Sequence, residues 1–103
     1  MRAERPFLDP RLSLDDLAAA LGIPGRDLSK LISASSGGNF YQFINGYRVN
    51  EARRLLGDPA ERRTSVEAIG VMSGFRSRST FYDAFRRETG QTPAQYREAA
   101  QKA

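Results

Sequence analysis

Arginine supplies most of the charge in this sequence, and its chemistry suits binding to anions. Fourteen of the 16 basic residues are arginine, against 12 acidic residues, which leaves a net charge of +4. The planar guanidinium fork matches the paired oxygens of a phosphate and the acceptor edge of guanine. The basic excess lies mainly in residues 61–103, which carry eight basic and five acidic groups. This composition favours an anionic partner, although a solvated basic surface also satisfies it.

Two residue types that commonly act in catalysis or bind metal ions are missing. The sequence contains no histidine and no cysteine, so the commonest general base and any thiolate or disulfide site are excluded. The glycine-containing stretch 35–38 lacks the Lys-Ser/Thr pair of a phosphate-binding loop. We therefore expect a protein that is not an enzyme and uses no cofactor or metal. With no signal peptide and no apolar run of about 18 residues, a reducing cytoplasm is the expected location.

Helices must position the arginines, because no segment shows the period-2 alternation of a strand. A short helix is predicted between a capping Ser13 and a terminating Gly22. Its inward positions, at helical spacing, are Leu14, Leu17, Ala18 and Leu21. A second helix begins after Ile23-Pro24-Gly25 and stops at Gly37 or Gly38. Its inward residues are Leu28, Leu31 and Ile32.

A longer helix, the linker helix, is predicted from Asn39, which forms a capping box with Gln42, to about Leu56. The apolar residues of its second half are rotated by roughly 140° from those of its first half, at about 100° per residue. The first apolar face consists of Phe40, Phe43, Ile44 and Tyr47. The second consists of Val49, Ala52, Leu55 and Leu56. A helix that buries two different faces is expected to join two separately packed units.

Three further helices are predicted in the second half of the chain. The first of them is capped either by Thr64, in a capping box with Glu67, or by Ser65. The other two helices are capped by Ser77 and Thr92. The first two of these helices are predicted to end at Gly74 and Gly90. The inward residues are, in chain order, Val66, Ile69, Gly70, Ser73, Phe81, Phe85 and Tyr96.

The two halves repeat one pattern of short helix, glycine turn and amphipathic helix. An offset of 52 places Gly22 on Gly74, and an offset of 53 places Leu28 on Phe81 beyond the turn. This is the helix-turn-helix pattern, and two copies in register are far more specific than one. We therefore predict an all-α fold of two helix-turn-helix subdomains joined by a long linker helix. The predicted divisions are an N-terminal segment over 1–11, a first helix-turn-helix over 12–38, the linker helix over 39–57, a second helix-turn-helix with a closing helix over 58–98, and a frayed tail over 99–103.

The predicted length of the linker helix fits the repeat of a DNA duplex. About 17 residues span about 25 Å at 1.5 Å per residue. Recognition helices held at its two ends can then lie near one DNA turn apart, about 34 Å. The spacing is compatible with two helices in successive major grooves on one side of a duplex.

Motifs in both halves carry a resemblance to a known family. The second half contains Gly74-Phe75-Arg76-Ser77-Arg78-Ser79-Thr80-Phe81, followed by Phe85-Arg86-Arg87, Gly90, Thr92-Pro93 and Tyr96-Arg97. The first half contains Leu14-Asp15-Asp16-Leu17-Ala18, Leu28-Ser29-Lys30-Leu31 and the helix from Phe40 to Leu56. Over about residues 12–98, this spacing resembles the DNA-binding domain of the AraC/XylS family of bacterial transcription regulators. The resemblance implies sequence-specific binding to double-stranded promoter DNA and recruitment or blocking of RNA polymerase.

The sequence departs from the family pattern at three places. Gly70 stands where the family usually has Ala, and Ile32 stands where it often has Phe. Pro24 and Gly25 make the start of the first recognition helix unusual, which affects the base contacts expected of the first unit. Family members usually also carry a sensor or membrane portion, commonly upstream, and the stretch 7–10 is typical of the start of the module. We therefore expect a fragment of a longer regulator.

The resemblance assigns DNA contact to the outward faces of the two recognition helices. In the first helix, Arg26 and Lys30 are spaced i, i+4 and therefore point to the same side. In the second, Arg78 and Ser79 lie at the helix N-terminus, where residues that contact bases usually lie. The candidate DNA-binding residues are Arg26, Ser29, Lys30, Arg76, Arg78, Ser79, Tyr82, Asp83, Arg86 and Arg87.

Several of these residues have more than one interpretation. Arg78 suits guanine O6 and N7, and Asp83 can accept a hydrogen bond from cytosine N4. An intrahelical pair of Asp83 with Arg86 or Arg87 is the interpretation we favour, and these two arginines suit phosphate contacts. For the first recognition helix, the alternative is a solvated face on which Asp27 pairs with a neighbouring cation. For the whole chain, the alternative is a helical protein-interaction module without DNA binding, against which the arginine-rich outer faces argue.

Overall fold

The computed structural model describes residues 6–36 and 39–102, and within these ranges every regular element is helical. The six α-helices are α1 (Leu14–Leu21), α2 (Gly25–Ser36), α3 (Phe40–Gly57), α4 (Val66–Met72), α5 (Arg78–Thr89) and α6 (Pro93–Lys102). Single turns of 3₁₀ helix at Pro6–Leu8 and Pro59–Glu61 precede α1 and α4. The all-α prediction is confirmed, while the stop predicted for α2 at Gly37 or Gly38 lies outside the described residues.

Side-chain caps start the helices largely where the sequence predicts them. The Ser13 hydroxyl accepts a hydrogen bond from the Asp16 N–H at 3.1 Å, and the Asp16 carboxylate accepts one from the Ser13 N–H. Asn39 and Gln42 form the same reciprocal box at the start of α3. Ser77 caps α5. These caps satisfy N–H groups that a helix leaves unpaired in its first turn.

The start of α4 corrects one prediction. The Ser65 hydroxyl accepts the Ala68 N–H at 3.0 Å, whereas the Thr64 hydroxyl donates to Glu61 Oε1 at 2.8 Å. Ser65 is therefore the cap, and the capping box of Thr64 with Glu67 does not form. The Thr64 hydroxyl is engaged by the preceding 3₁₀ turn, which leaves the Glu67 carboxylate free to reach another element.

Two separate apolar clusters form the core, one in each half of the molecule. The first consists of Leu17, Ala18, Leu28 and Ile32, with Phe40 and Phe43 of α3 packed against it. The second consists of Val49, Ala52, Leu55 and Leu56 of α3 together with Ile69, Phe75, Phe81, Ala84 and Phe85. The two apolar faces predicted for the linker helix are thus used by two clusters. The limits proposed for the units along the chain stay predictions.

Two leucines that were predicted to face inward are exposed. Leu21 is 52% exposed and Leu31 is 60% exposed. Leu21 is the last residue of α1, directly before the chain reverses at Gly22, which has a left-handed φ of 72°. Leu31 lies about 100° around α2 from the buried Ile32. The stripe of α2 that packs on α1 is therefore narrower than the sequence pattern indicates.

Arg48, inside α3, holds the N-terminal segment against the rest of the molecule. Its Nε donates to the Phe7 carbonyl at 2.7 Å and its Nη2 to the Asp9 carbonyl at 2.9 Å. Burial lowers the pKa of the Arg48 guanidinium, and the Asp9 charge partly opposes that change. The buried Phe7 ring lies 5.6 Å from the half-exposed Tyr47 ring. At Gly74, where φ is 97°, a Cβ would collide with the Phe7 carbonyl oxygen, so this segment also contacts the turn between α4 and α5.

The last helix extends further than predicted. Residues 99–103 were expected to fray, but α6 continues through Lys102. Gln101 Nε2 donates to the Leu56 carbonyl at 2.8 Å, one of the carbonyl groups that α3 leaves unpaired at its end. This contact between residues 45 positions apart stabilises the end of α6, and no local pattern indicates it.

Gly70 provides the space that the Phe81 ring occupies between α4 and α5. A Cβ at residue 70 would lie 2.6 Å from Phe81 Cδ2. The Phe81 side chain is 1% exposed and lies against the rings of Phe75 and Phe85, with centroids 5.0 and 5.9 Å away. The ring cannot withdraw without disturbing these neighbours. The Phe81 ring can occupy this position because residue 70 is glycine and not the alanine usual in the family.

Two glycine-to-alanine substitutions are expected to have opposite effects on stability. Gly46→Ala in α3 should raise the free energy of unfolding by about 1 kcal/mol, because alanine favours a helix interior and its Cβ would meet no atom within 4 Å. Gly70→Ala gains the same propensity but overpacks the Phe81 ring, which costs about 1–3 kcal/mol. Urea unfolding of both variants measures the difference. Equal stabilisation by the two substitutions would contradict the packing described at Gly70.

Candidate nucleic-acid interface

Helix α5 turns its predicted DNA-binding residues away from the core. Its buried residues are Phe81, Ala84 and Phe85, which place the opposite face in solvent. Exposed on that face and in the preceding turn are Arg76, Arg78, Ser79, Asp83, Arg86 and Arg87. Tyr82 is half-buried and packs against the second cluster. The Ser77 cap starts the helix one residue before Arg78, so Arg78 and Ser79 form the beginning of its first turn.

Helix α2 presents the corresponding residues of the first unit. Arg26, Ser29 and Lys30 are exposed, opposite the buried Leu28 and Ile32. At about 100° per residue, the three exposed side chains occupy a stripe roughly 100° wide. The predicted face of the first recognition helix is therefore present on the surface.

The unusual start of α2 leaves its first turn regular. The N–H groups of Asp27 and Leu28 both donate to the Pro24 carbonyl at 3.1 Å. A Cβ at Gly25 would lie 3.1 Å from an oxygen of Asp15, so this glycine allows α2 to approach the acidic first turn of α1. Among the described side chains, Asp27 forms no ion pair with either neighbouring cation.

Arg78 has partners that the sequence does not indicate. Its Nε lies 3.4 Å from Glu67 Oε2 of α4, and its Cζ lies 4.8 Å from the centroid of the Tyr82 ring. The Tyr82 hydroxyl donates to the same Glu67 oxygen at 3.4 Å. Interaction with the Tyr82 hydroxyl and then with the Glu67 carboxylate raises the pKa of Arg78 above its ordinary value. Glu67 belongs to a different helix, and only the packing of α4 on α5 brings it to Arg78.

The intrahelical pair favoured for Asp83 does not form. Among the described residues, the Asp83 carboxylate makes no ion pair with Arg86 or Arg87, although the spacing along α5 permits one. Exposed intrahelical pairs of this kind contribute at most a few tenths of a kcal/mol, so the absence of this pair costs little stability. All three charged groups are exposed.

A connected groove joins the two recognition helices across the face of the molecule. A cavity beside α2 has Ser29 and Ser33 in its lining and shares Ser13 and Tyr41 with a central cleft. The central cleft continues to Arg76 and Thr80 at the start of α5. From there, adjoining cavities contain Arg76, Ser77, Arg78, Ser79 and Asp83. We call this continuous surface the interface groove.

The central cleft adds residues that were not predicted to take part. Its lining includes Arg11, Tyr41, Asn45 and the edge of Arg48. Tyr41 is 71% exposed, and the Arg11 guanidinium forms no ion pair with a described residue. Tyr41 and Asn45 lie in the first half of α3, away from the apolar face of that half, and this was the only signal for them. Guanidinium, hydroxyl and amide groups in this lining are donors that can contact phosphate oxygens and base edges. Apolar side chains such as Leu14, Phe40 and Phe75 line the groove as well.

The described residues show no feature of a metal site or of a membrane-spanning segment. Within residues 6–36 and 39–102, no cluster of acidic side chains is suited to hold a metal ion. None of the helices in the same ranges has the length and apolar character needed to cross a bilayer. The Glu67 carboxylate, which lines the interface groove, instead lies beside the Arg78 guanidinium.

Comparison with known proteins assigns the fold to a family. Residues 17–99 match the family model described as a helix-turn-helix domain. The melibiose operon regulatory protein of Escherichia coli (strain K12) is 39% identical over 61 residues, which cover 59% of this chain and 19% of that protein. This chain thus spans about a fifth of the length of that relative.

Two solved structures extend the likeness over most of the chain. A transcriptional regulator from Chromobacterium violaceum, described as containing an AraC-type DNA-binding domain, has a TM-score of 0.75 at 30% identity and covers 86% of this chain and 77% of its own. The DNA-binding domain of the global transcriptional factor AdpA, solved in complex with a target DNA, has a TM-score of 0.77 at 28% identity over 93% of this chain and 83% of its own. The motifs, the two helix-turn-helix units and these matches agree, and the chain belongs to the AraC family of helix-turn-helix transcription regulators.

Proposed function

We propose that this chain binds double-stranded promoter DNA sequence-specifically, with α2 and α5 in successive major grooves on one side of the duplex. The observation that carries the proposal is the interface groove, which is bordered by the polar faces of both helices. The 18 residues of α3 span about 27 Å at 1.5 Å per residue. The molecule is 44 Å long, which exceeds the turn of about 34 Å that separates successive grooves. The AdpA domain, solved with a target DNA, gives independent support.

The candidate DNA-binding residues divide into two roles. Arg78, Ser79 and Asp83, in the first two turns of α5, are placed to contact base edges. Arg26, Ser29 and Lys30 of α2 are their counterparts in the first unit. Phosphate contacts that fix register are assigned to Arg76, Arg86 and Arg87, and Tyr82 supports Arg78. The family consists of DNA-binding regulators, which agrees with the prediction that the chain is not an enzyme.

Arg86→Ala is expected to weaken binding to all duplex DNA and to reduce its salt dependence. Losing one phosphate contact should lower the slope of log K against log salt concentration by about 0.9. Fluorescence anisotropy of a labelled duplex over a range of salt concentrations measures the slope. Arg62→Ala, which removes an exposed arginine outside both recognition helices, is the matched control and should leave the slope unchanged. A wild-type slope for Arg86→Ala would refute the phosphate contact.

Selection of bound duplexes from a random pool, at a stated salt concentration, tests the proposed function. The expected result is enrichment of two short motifs whose centres lie about one helical turn apart. Retention should fall as salt rises, because released counterions contribute to binding. A protein-interaction module without DNA binding predicts no enrichment and no salt-dependent retention, and that result would overturn the proposal.

We further propose that the domain acts on RNA polymerase at promoters, in the cytoplasm where chromosomal DNA lies, and that a sensor or membrane portion controls it. The small share of the melibiose regulator that this chain matches supports a larger intact protein. The contacts of the Phe7–Asp9 segment with Arg48, and of Phe7 with Gly74, offer a direct connection between such a portion and the second unit.

A further inference from the structure

We propose that Glu67 of α4 is a positioning residue for base recognition and determines specificity without contacting DNA. Its carboxylate holds Arg78 so that the outer Nη1–Nη2 edge of the guanidinium is directed to a base, and it disfavours the use of Arg78 as a phosphate contact. This role rests on the proposed contact between Arg78 and DNA.

The geometry restrains Arg78 from two sides. On one side, Nε lies 3.4 Å from Glu67 Oε2. On the other, the guanidinium carbon lies 4.8 Å from the centroid of the Tyr82 ring, whose hydroxyl donates to the same carboxylate oxygen at 3.4 Å. The three side chains form a closed set that joins α4 to the first turns of α5. Arg78 nevertheless remains 67% exposed, so this set orients its side chain without burying it.

Glu67 lies on the Nε side of the Arg78 guanidinium, at an ion-pair distance of 3.4 Å, which leaves the opposite edge for DNA. The guanidinium has five N–H donors in a planar fork, and the four on Nη1 and Nη2 remain for an outside acceptor. Guanine O6 and N7 are paired acceptors that such an edge binds in bidentate fashion. A side chain already held in place loses less conformational freedom on binding, so the restraint favours this contact.

The negative charge of Glu67 affects a phosphate contact of Arg78 and a base contact of Arg78 differently. A phosphate bound to Arg78 brings a second anion close to the Glu67 carboxylate, and the two like charges repel. A guanine edge carries no net charge and meets a much weaker repulsion. Glu67 should therefore weaken non-specific binding to the DNA backbone more than it weakens binding to the correct base.

The structural contribution of Glu67 is small, which makes the proposal testable. Ser65 caps α4 alone, so Glu67 is not needed to start the helix. Its side chain is 55% exposed, and exposed ion pairs contribute little to folding. Glu67→Gln keeps the size of the side chain and should lower the melting temperature by no more than a few degrees, because it removes only the favourable charge in the first turn of α4.

The experiment measures affinities of Glu67→Gln for the selected duplex and for a random-sequence duplex of equal length, at one salt concentration. We expect affinity for random DNA to rise about three- to tenfold and the ratio of specific to random affinity to fall about five- to tenfold. Glu88→Gln, which removes one exposed carboxylate from α5 outside this set, is the charge-matched control and should change both affinities by the same factor. In an Arg78→Ala background, Glu67→Gln should no longer change the ratio.

Each outcome bears on one proposal at a time. If Glu67→Gln folds normally and keeps the wild-type ratio, or changes both affinities as Glu88→Gln does, the positioning role is overturned. The same holds if the ratio falls equally in the Arg78→Ala background. If the wild-type protein shows no preference for any selected duplex, the proposed function itself is wrong. This result is obtained before any variant is measured.

Discussion

Phe81→Ala is expected to lower the free energy of unfolding by about 3–5 kcal/mol, which is the usual cost of removing a large buried aromatic side chain. The ring is 1% exposed and forms contacts with three other rings, at centroid distances of 5.0 Å to Phe75, 5.7 Å to Tyr82 and 5.9 Å to Phe85. It also fills the space left by Gly70, so the cavity opens between α4 and α5. Because small domains have a stability of about 5–15 kcal/mol, a large share of the total is lost. Urea unfolding followed by circular dichroism measures the change.

A double-mutant cycle separates this packing from a general loss of apolar area. Phe81→Ala removes the ring atoms nearest to residue 70, Cδ2 and Cγ, and Gly70→Ala then has room for its methyl group. The cost of Gly70→Ala should therefore be smaller in the Phe81→Ala background, with a coupling of about 1 kcal/mol or more, as contacting residues commonly show. Additive effects of the two substitutions would show that the glycine and the ring are not complementary.

Arg78→Ala is expected to reduce discrimination at one base position by about 1–3 kcal/mol, or about 5- to 150-fold in relative affinity. The reason is the loss of a bidentate contact from the first turn of α5, where Arg78 is exposed and charged. Affinity for random duplexes should fall far less, because the phosphate contacts remain. Binding of the selected duplex, and of duplexes substituted at each position in turn, measures the effect.

Lysine is the matched substitution at this site. Arg78→Lys keeps the charge and much of the length but cannot present a planar fork to guanine. It should retain non-specific affinity and lose most of the discrimination at the same position. A variant with alanine at residue 78 that binds specific and random DNA with an equal loss would contradict the assignment of Arg78 to a base.

The parts of this fold that could be predicted from the sequence are those that local chemistry determines. Ser13, Asn39 and Ser77 cap helices through contacts within three residues, and Gly22 and Gly90 end them in left-handed conformations. The two faces of the linker helix follow from side-chain periodicity alone. The second face is part of the second cluster, and Phe40 and Phe43 of the first face pack against the first cluster. The outward positions of the recognition helices are predictable for the same reason.

The features that were predicted wrongly or missed depend on contacts between distant residues. Leu21 and Leu31 have helical spacing typical of a core, but whether they are covered depends on how far the neighbouring helix extends. The extension of α6 depends on Gln101 reaching a carbonyl at the end of α3. Glu67 comes near Arg78 only after α4 packs on α5, and the sequence offered it a local role as a capping partner instead.

A phasing experiment tests most directly whether α2 and α5 read neighbouring turns on one face of a duplex. Inserting about five base pairs, half a helical turn, between the two selected motifs places the second motif on the opposite face. Because one continuous helix joins the two units, affinity should fall to that of a duplex carrying a single motif. Unchanged affinity for the half-turn insertion would contradict simultaneous binding of both helices to one side of the DNA.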